Sequence, residues 1–147
     1  MTAADRFELE RFVEAQAHGV HERAAAELRE GRKQGHWIWF ELPQLRGLGR
    51  SATAERYGIA SLDEARAYLA HPVLGPRLRE LAGIVETAGS ADPVAMFGDV
   101  DAMKLRSSMT LFREAAEGEG KALFQAVLDR CFGGEADART LELLGRA

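Results

Sequence analysis

The sequence predicts an all-α fold, a compact single-domain bundle of about eight short-to-medium helices over residues 1–147. Three observations predict it. Apolar residues recur at three- and four-residue spacing along most of the chain, the pattern of helices that bury one face. Ser or Asp precedes these stretches and Gly or Pro follows them, as caps and stops should. Val and Ile are too scattered for a parallel sheet, and there is no long linker or repeat at solenoid period.

The elements follow in order. Residues 5–30 place Leu9, Phe12, Val13, Gln16, Val20, Ala24 and Leu28 on one helical face, with Gly19 placed to divide the stretch and Gly31 to end it. A short helix is expected over 36–42, stopped by Pro43. Ser51 caps a helix running through Arg56 and Tyr57 to Gly58. In SLDEARAYL, Ser61 and Glu64 form a capping box, each side chain satisfying a free amide of the helix start. His71-Pro72 ends that helix, and Leu74, Leu78, Leu81 and Val85 define the next. ADPVAMFG is one helical turn in miniature, with Asp92 as cap, Pro93 at the first position and Gly98 as exit. Asp99 then caps a long helix from about 100 to 117. After the EGEG turn, Leu123, Phe124, Val127, Leu128 and Cys131 line another apolar face. Gly133-Gly134 breaks it, and Asp137 starts a final helix through Leu144.

Composition narrows the function. Apolar residues make up 46% and charged residues 29%, an ordinary globular balance in a chain of one-domain length. A domain of this size folds without disulfides or metals. The single Cys131, in the run VLDRCF, reads as a small buried hydrophobe rather than a reactive thiol. A net charge of -4 argues against a dedicated nucleic-acid binder. No apolar run approaches the roughly 20 residues that span a bilayer. MTAADRFELERF lacks the basic-then-apolar plan of a secretory signal. The expectation is a cytoplasmic protein with no cofactor, no nucleic-acid partner and no membrane partner.

Several blocks are distinctive: RFVEAQ from Arg11, HWIWFELPQLRGLGRSATAERYGI from His36, EARAYLAHPVLGPRL from Glu64, MFGDVDAMKLRSSMTLF from Met96 and GGEADARTLELL from Gly133. Through them the chain resembles, over nearly its full length, the bacterial domain-of-unknown-function 1810 family. Two positions depart from the family pattern, Ile38 where Met is usual and Glu41 where an apolar residue is usual. The resemblance implies an all-helical single domain and supplies no function. In size and helical character the chain is also similar, more faintly, to the NADAR N-glycosidases that act on nucleotide-like substrates. No catalytic motif is shared with them.

Both tryptophans fall in one short stretch. On a helix, His36, Trp39 and Phe40 share a side and Trp37 points elsewhere, so one indole can enter the core while the other borders a cleft. The plainer reading, preferred for Trp37 and Trp39, packs both inside with their N–H groups on backbone carbonyls. Gly47 and Gly49 allow tight turns before the Ser51 helix start, and Arg46 and Arg50 beside it suit a phosphate or carboxylate. A capped helix with solvated arginines explains the same residues equally well. Asp101, Lys104 and Ser108 fall at i, i+3 and i+7 on one helical face. A surface pair plus small packing residues is preferred there over a Lys-activated Ser nucleophile. His18 and His21 lack a third ligand at metal spacing and read as a solvated face. His71 is placed to bond a terminal carbonyl at its helix junction. For general acid–base work His36 is the first candidate and His71 the second, with Asp99 or Asp101 as acidic partners.

The expectation is a polar cleft for an anionic, nucleotide-like small molecule, held by Arg46, Arg50, Ser51, Lys104 and Ser108 beside Trp37 or Trp39. If chemistry follows, hydrolysis or glycosidic cleavage with His36, His71 and Asp101 is its simplest form, and no metal is expected. The alternative is a non-catalytic helical module that offers the same aromatics to a protein partner. The blandest reading makes Trp37, Trp39, Pro43 and Tyr57 pins between helices.

Overall fold

The computed structural model describes residues 2 and 6–146, and ten helices are assigned among them. They are α1 Glu10–Ala15, α2 Val20–Arg29, α3 Ile38–Glu41, α4 Ala52–Tyr57, α5 Leu62–Ala70, α6 Leu74–Glu86, α7 Pro93–Phe97, α8 Asp99–Ala115, α9 Gly118–Phe132 and α10 Ala138–Leu143. Among the described residues no strand forms, and one isolated parallel bridge joins Leu45 to Ile59. The fold is all-α, as the sequence predicts. The count exceeds eight although each element falls where the sequence places one, the first long stretch being cut in two. That cut falls at His18 and Gly19, both in left-handed backbone with φ of 58° and 82°. Glycine adopts that geometry without strain, and an interior helical residue does not.

α8 forms the centre of the bundle. Its buried residues Ala102, Leu105, Met109, Leu111 and Phe112 meet α5, α7, α9 and α10. An aromatic file runs across it: Phe12 to Tyr68 at 5.1 Å between ring centroids, Tyr68 to Phe112 at 5.3 Å, Phe112 to Phe124 at 6.0 Å. It welds α1, α5, α8 and α9. Each such ring contributes roughly 2–3 kcal/mol through the apolar surface it removes from water. α6 closes the other side, packing on α2, α5 and α9.

Four of the five caps read from the sequence are used. Ser51 Oγ accepts from Ala54 N at 3.1 Å, Asp92 Oδ1 from Val94 N at 3.0 Å, and Asp137 Oδ2 from Thr140 N at 2.9 Å. Others differ. Ser61 Oγ accepts from Glu64 N at 3.2 Å, but Glu64 returns to the amide of Ala60, not of Ser61, because its other oxygen takes a 2.7 Å ion pair with Arg11. Asp99 is the first residue of α8 rather than its cap; Gly98 precedes it without a side-chain bond, and the helix ends at Ala115. The EGEG stretch is mostly helix, since α9 begins at Gly118. His71 bonds the Tyr68 carbonyl through its backbone amide, at 3.2 Å, while its ring Nδ1 accepts from the amides of Val73 and Leu74 at 3.1 and 3.2 Å and caps the next helix start. Cys131 is half-buried, and burial pushes its thiol up. His21 departs most from expectation: it is buried between Glu41 and Glu80, not on a solvated face.

Candidate functional site

The segment after α3 is a loop clamped at both ends. Pro43 is buried, Arg46 N donates to Ile59 O at 2.7 Å, and Ile59 N donates to Gln44 O at 2.9 Å. Gly47 turns the chain with a φ of 105°. A Cβ at Gly49 would lie 2.7 Å from that of Ala54, and one at Gly58 would lie 2.8 Å from that of Arg46. The loop therefore rests directly on α4, and only glycine permits the approach.

Held this way, the loop forms part of a cleft of about 490 Å³. Trp39, Leu48, Arg50 and Ser51 line it from the α3–α4 side, Val100, Met103, Lys104 and Ser107 from α8, and Asp137 and Arg139 from the start of α10. Three cationic side chains from three segments thus share one space with one carboxylate. That carboxylate is committed, because Asp137 Oδ2 accepts from both the amide and the hydroxyl of Thr140, the latter at 2.6 Å. Arg50 and Arg139 are exposed, and Lys104 is partly buried.

Both tryptophans belong to one electrostatic chain that reaches this cleft. Lys104 Nζ lies over the Trp39 ring, 4.2 Å from its centroid, and 3.4 Å from Asp101 Oδ1. The other oxygen of Asp101 is 2.8 Å from Nζ of Lys33, whose side chain is 5% exposed. Lys33 lies over Trp37 at 5.0 Å and also donates to Gly35 O. The Trp37 indole N–H donates to Glu27 Oε1 at 3.0 Å, as do the amides of Gln34 and Gly35 at 2.7 and 2.9 Å. Burial alone would raise the Glu27 pKa; these N–H groups and Lys33 outweigh it and hold the carboxyl below its ordinary value. Asp101 thus holds two ammoniums, each on the face of one tryptophan.

Of the residues singled out in the sequence, Trp39, Arg50, Ser51 and Lys104 meet in the cleft, and Asp101 touches it through Lys104. The rest lie elsewhere. Trp37 is buried, with its N–H on a carboxylate rather than a carbonyl. Arg46 lines a separate, more open cleft of about 770 Å³ with Arg6, Arg56, Glu8 and Glu55. His36 is exposed, precedes α3 and is not part of either lining; His71 sits at the α5–α6 junction. Ser108 is wholly buried and its hydroxyl has no hydrogen-bond partner among the described residues, whereas its neighbour Ser107 lines the cleft and bonds Met103 O at 3.1 Å. Sequence reasoning missed Arg139 and Lys33. Arg139 follows the recognised cap Asp137 by two positions, so the signal was there. Lys33 stands just before the aromatic run and carried none.

Among the described residues no group of three His, Cys, Asp or Glu side chains is placed to hold a metal ion, and no helix is long and apolar enough to cross a membrane. Fold and site together define a small all-α protein with a cationic cleft between a glycine-clamped loop and its central helix. A family model described as a protein of unknown function, DUF1810, matches residues 6–144, and the chain belongs to that family. The chain is also similar to a solved structure, the conserved hypothetical protein Rv1873 from Mycobacterium tuberculosis. The two are 51% identical over 95% of this chain and 98% of the other, with a TM-score of 0.91. No curated protein matches the chain.

Proposed function

We propose that the cleft between the Arg46–Ser51 loop and α8 binds an anionic, nucleotide-like small molecule. One observation carries this reading: Arg50, Lys104 and Arg139 converge on a space whose single lining carboxylate among the described residues, Asp137, is already bonded to Thr140, while the pairs of Lys104 with Asp101 and of Arg139 with Glu142 are both long, at 3.4 Å. Clustered cations repel one another, and an anionic ligand relieves that repulsion. Trp39, Leu48 and the exposed Val100 and Met103 supply apolar contacts for the remainder of such a ligand. Catalysis is not part of this reading, because His36 and His71 lie outside the lining and Asp137 is a helix cap.

The test is a thermal-shift panel of NAD, ADP-ribose, nucleoside mono- and triphosphates, sugar phosphates and inorganic phosphate. A ligand at a hundredfold excess over its Kd stabilises by about 2.7 kcal/mol. Arg50 is exposed and makes no hydrogen bond or ion pair among the described residues, so Arg50→Ala removes the shift and leaves the unliganded Tm unchanged. A shift that survives Arg50→Ala, or none across the panel, refutes the reading.

A second reading has its own support. Val100 and Met103 are 69% and 66% exposed, one helical turn apart on α8. Large apolar side chains so placed suit a protein partner. That reading predicts concentration-dependent association by sedimentation, abolished in Met103→Ser, and no small-molecule stabilisation.

A further inference from the structure

Resting on the reading of this cleft as an anion site, we infer that its ligand presents a phosphate monoester dianion, and that Asp101 is the resident carboxylate the ligand must outcompete for Lys104. The two arms of Asp101 are unequal. Lys33 is almost wholly buried and close, at 2.8 Å, and also bonds Gly35 O, so it is fixed. Lys104 is the longer contact, at 3.4 Å, lines the cleft, and carries its ammonium on a flexible stem. When Lys104 leaves, Asp101 keeps Lys33 and is not stranded.

Lys104 turns from Asp101 only toward a stronger anion. A monoanionic carboxylate or phosphodiester repeats what Asp101 already supplies. A dianion doubles the attraction at equal distance and offers three acceptor oxygens for the ammonium and the Arg50 and Arg139 guanidiniums. Arg139 is held as loosely as Lys104, by a single exposed pair with Glu142 at 3.4 Å, so a dianion can draw both cations from their carboxylates. Lys104 also covers one face of the Trp39 indole, at 4.2 Å from the ring centroid. Its movement onto the phosphate frees that face for a flat ring, which couples charge recognition to stacking. A phosphate alone then binds less well than a phosphate joined to an aromatic base.

Isothermal titration of the whole protein at pH 7.5 with adenosine 5′-monophosphate, adenosine 3′,5′-cyclic monophosphate, adenosine and inorganic phosphate tests this. These nucleotides share a base and differ in whether the phosphate is a dianionic monoester or a monoanionic diester; the monoester's second pKa is about 6. The expected result is at least roughly tenfold tighter binding of the monoester than of the cyclic diester, with no measurable binding of adenosine. Lys104→Met reduces that preference to about twofold or less. Asp101→Asn tightens the diester more than the monoester, because the competitor's charge is gone. The wild-type ratio and Lys104→Met decide the matter even if loss of the Lys33 partner unfolds Asp101→Asn. Equal binding of monoester and diester overturns the dianion inference and leaves the anion site standing. No binding of either nucleotide or of phosphate overturns both.

Discussion

His21 Nδ1 lies 2.7 Å from Glu41 Oε1 and its Nε2 lies 2.5 Å from Glu80 Oε1, so one buried imidazole ties α2 to α3 and to α6. Glu41 is 1% exposed, and its second oxygen has no hydrogen-bond partner among the described residues. Glu80 is more open and also pairs with Arg29 at 3.1 Å. Burial by itself would lower the His21 pKa, but the bonds and charges of the two carboxylates outweigh it and raise it above 6.5. Burial raises Glu41, partly offset by His21 and by the charge of Arg77, with Glu22 acting in the same direction as burial. The bond from His21 lowers Glu80, burial opposing it and Arg29 helping.

The pH dependence follows from these directions. A raised His21 pKa gives stability that is complete below its ordinary value of 6.5 and is lost as pH rises through the higher folded value. The raised Glu41 acts in the same sense, since its charged form is the costly one. Glu80 acts oppositely: its contribution is present above its ordinary value of 4.5 and fades as pH falls. The wild-type protein should therefore gain most from this triad between about pH 4.5 and 6.5. Compared with it, His21→Gln should lose about 1.5–3 kcal/mol in that window, roughly 4–10 °C in Tm, because Glu41 and Glu80 lose their charged hydrogen-bond donor. The gap should narrow as pH rises past neutrality. A difference between the two melting curves that is flat with pH would show that His21 is neutral in the fold.

Removing both charges should be kinder than removing one. His21→Leu with Glu41→Leu replaces a buried pair by apolar volume and avoids the stranded charge of either single change. The double variant should melt within about 1 kcal/mol of wild type, and well above both singles, in a denaturant double-mutant cycle. Additive losses would mean that the two residues do not act as a pair.

The hydroxyl of Ser108, buried in α8 and unpartnered among the described residues, gives a prediction of opposite sign. Deleting an unsatisfied buried hydroxyl removes a desolvation penalty, and Ala is also the better helix former. Ser108→Ala should leave stability unchanged or raise it by up to about 1 kcal/mol. A loss above that size would indicate a bond that this geometry does not contain.

The local features of the fold were legible in the sequence because they depend on neighbours. The Ser51, Asp92 and Asp137 caps each bond an amide two or three residues ahead, and Gly19 marks a break that involves only itself and its neighbour His18. The site was legible in part for the same reason: Trp39, Arg50 and Ser51 lie in one stretch, and Lys104 comes from the other distinctive block. What failed depends on distance along the chain. His21 looked solvated because its partners stand 20 and 59 residues away. Ser107 and Ser108 are adjacent, and only the packing of α8 decides which faces the cleft and which the core. His36 was placed on the helix with Trp39, but the helix begins after it, at Ile38, and the shared face does not exist.

The clamp of the loop on α4 makes the last prediction. Gly49 borders both clefts, and an added Cβ would meet that of Ala54 at 2.7 Å, a contact that neither methyl can avoid by rotating. Either the loop or α4 must move, and overpacking of this kind costs about 1–3 kcal/mol. Movement of the loop shifts Arg50, one residue along, from its place in the cleft lining. Gly49→Ala should therefore lower Tm and weaken ligand binding together, whereas Arg50→Ala weakens binding alone. Adding Ala54→Gly restores the space but places glycine in the middle of α4, at a cost of about 1 kcal/mol. The double variant should thus recover binding while stability stays below wild type, as read by titration and thermal melts on the same samples. Such a split separates the position of the loop from the stability of the helix beneath it. If Gly49→Ala binds and melts as wild type does, the loop is not held by this contact, and the geometry of the cleft must be set by the Arg46–Ile59 and Ile59–Gln44 backbone bonds instead.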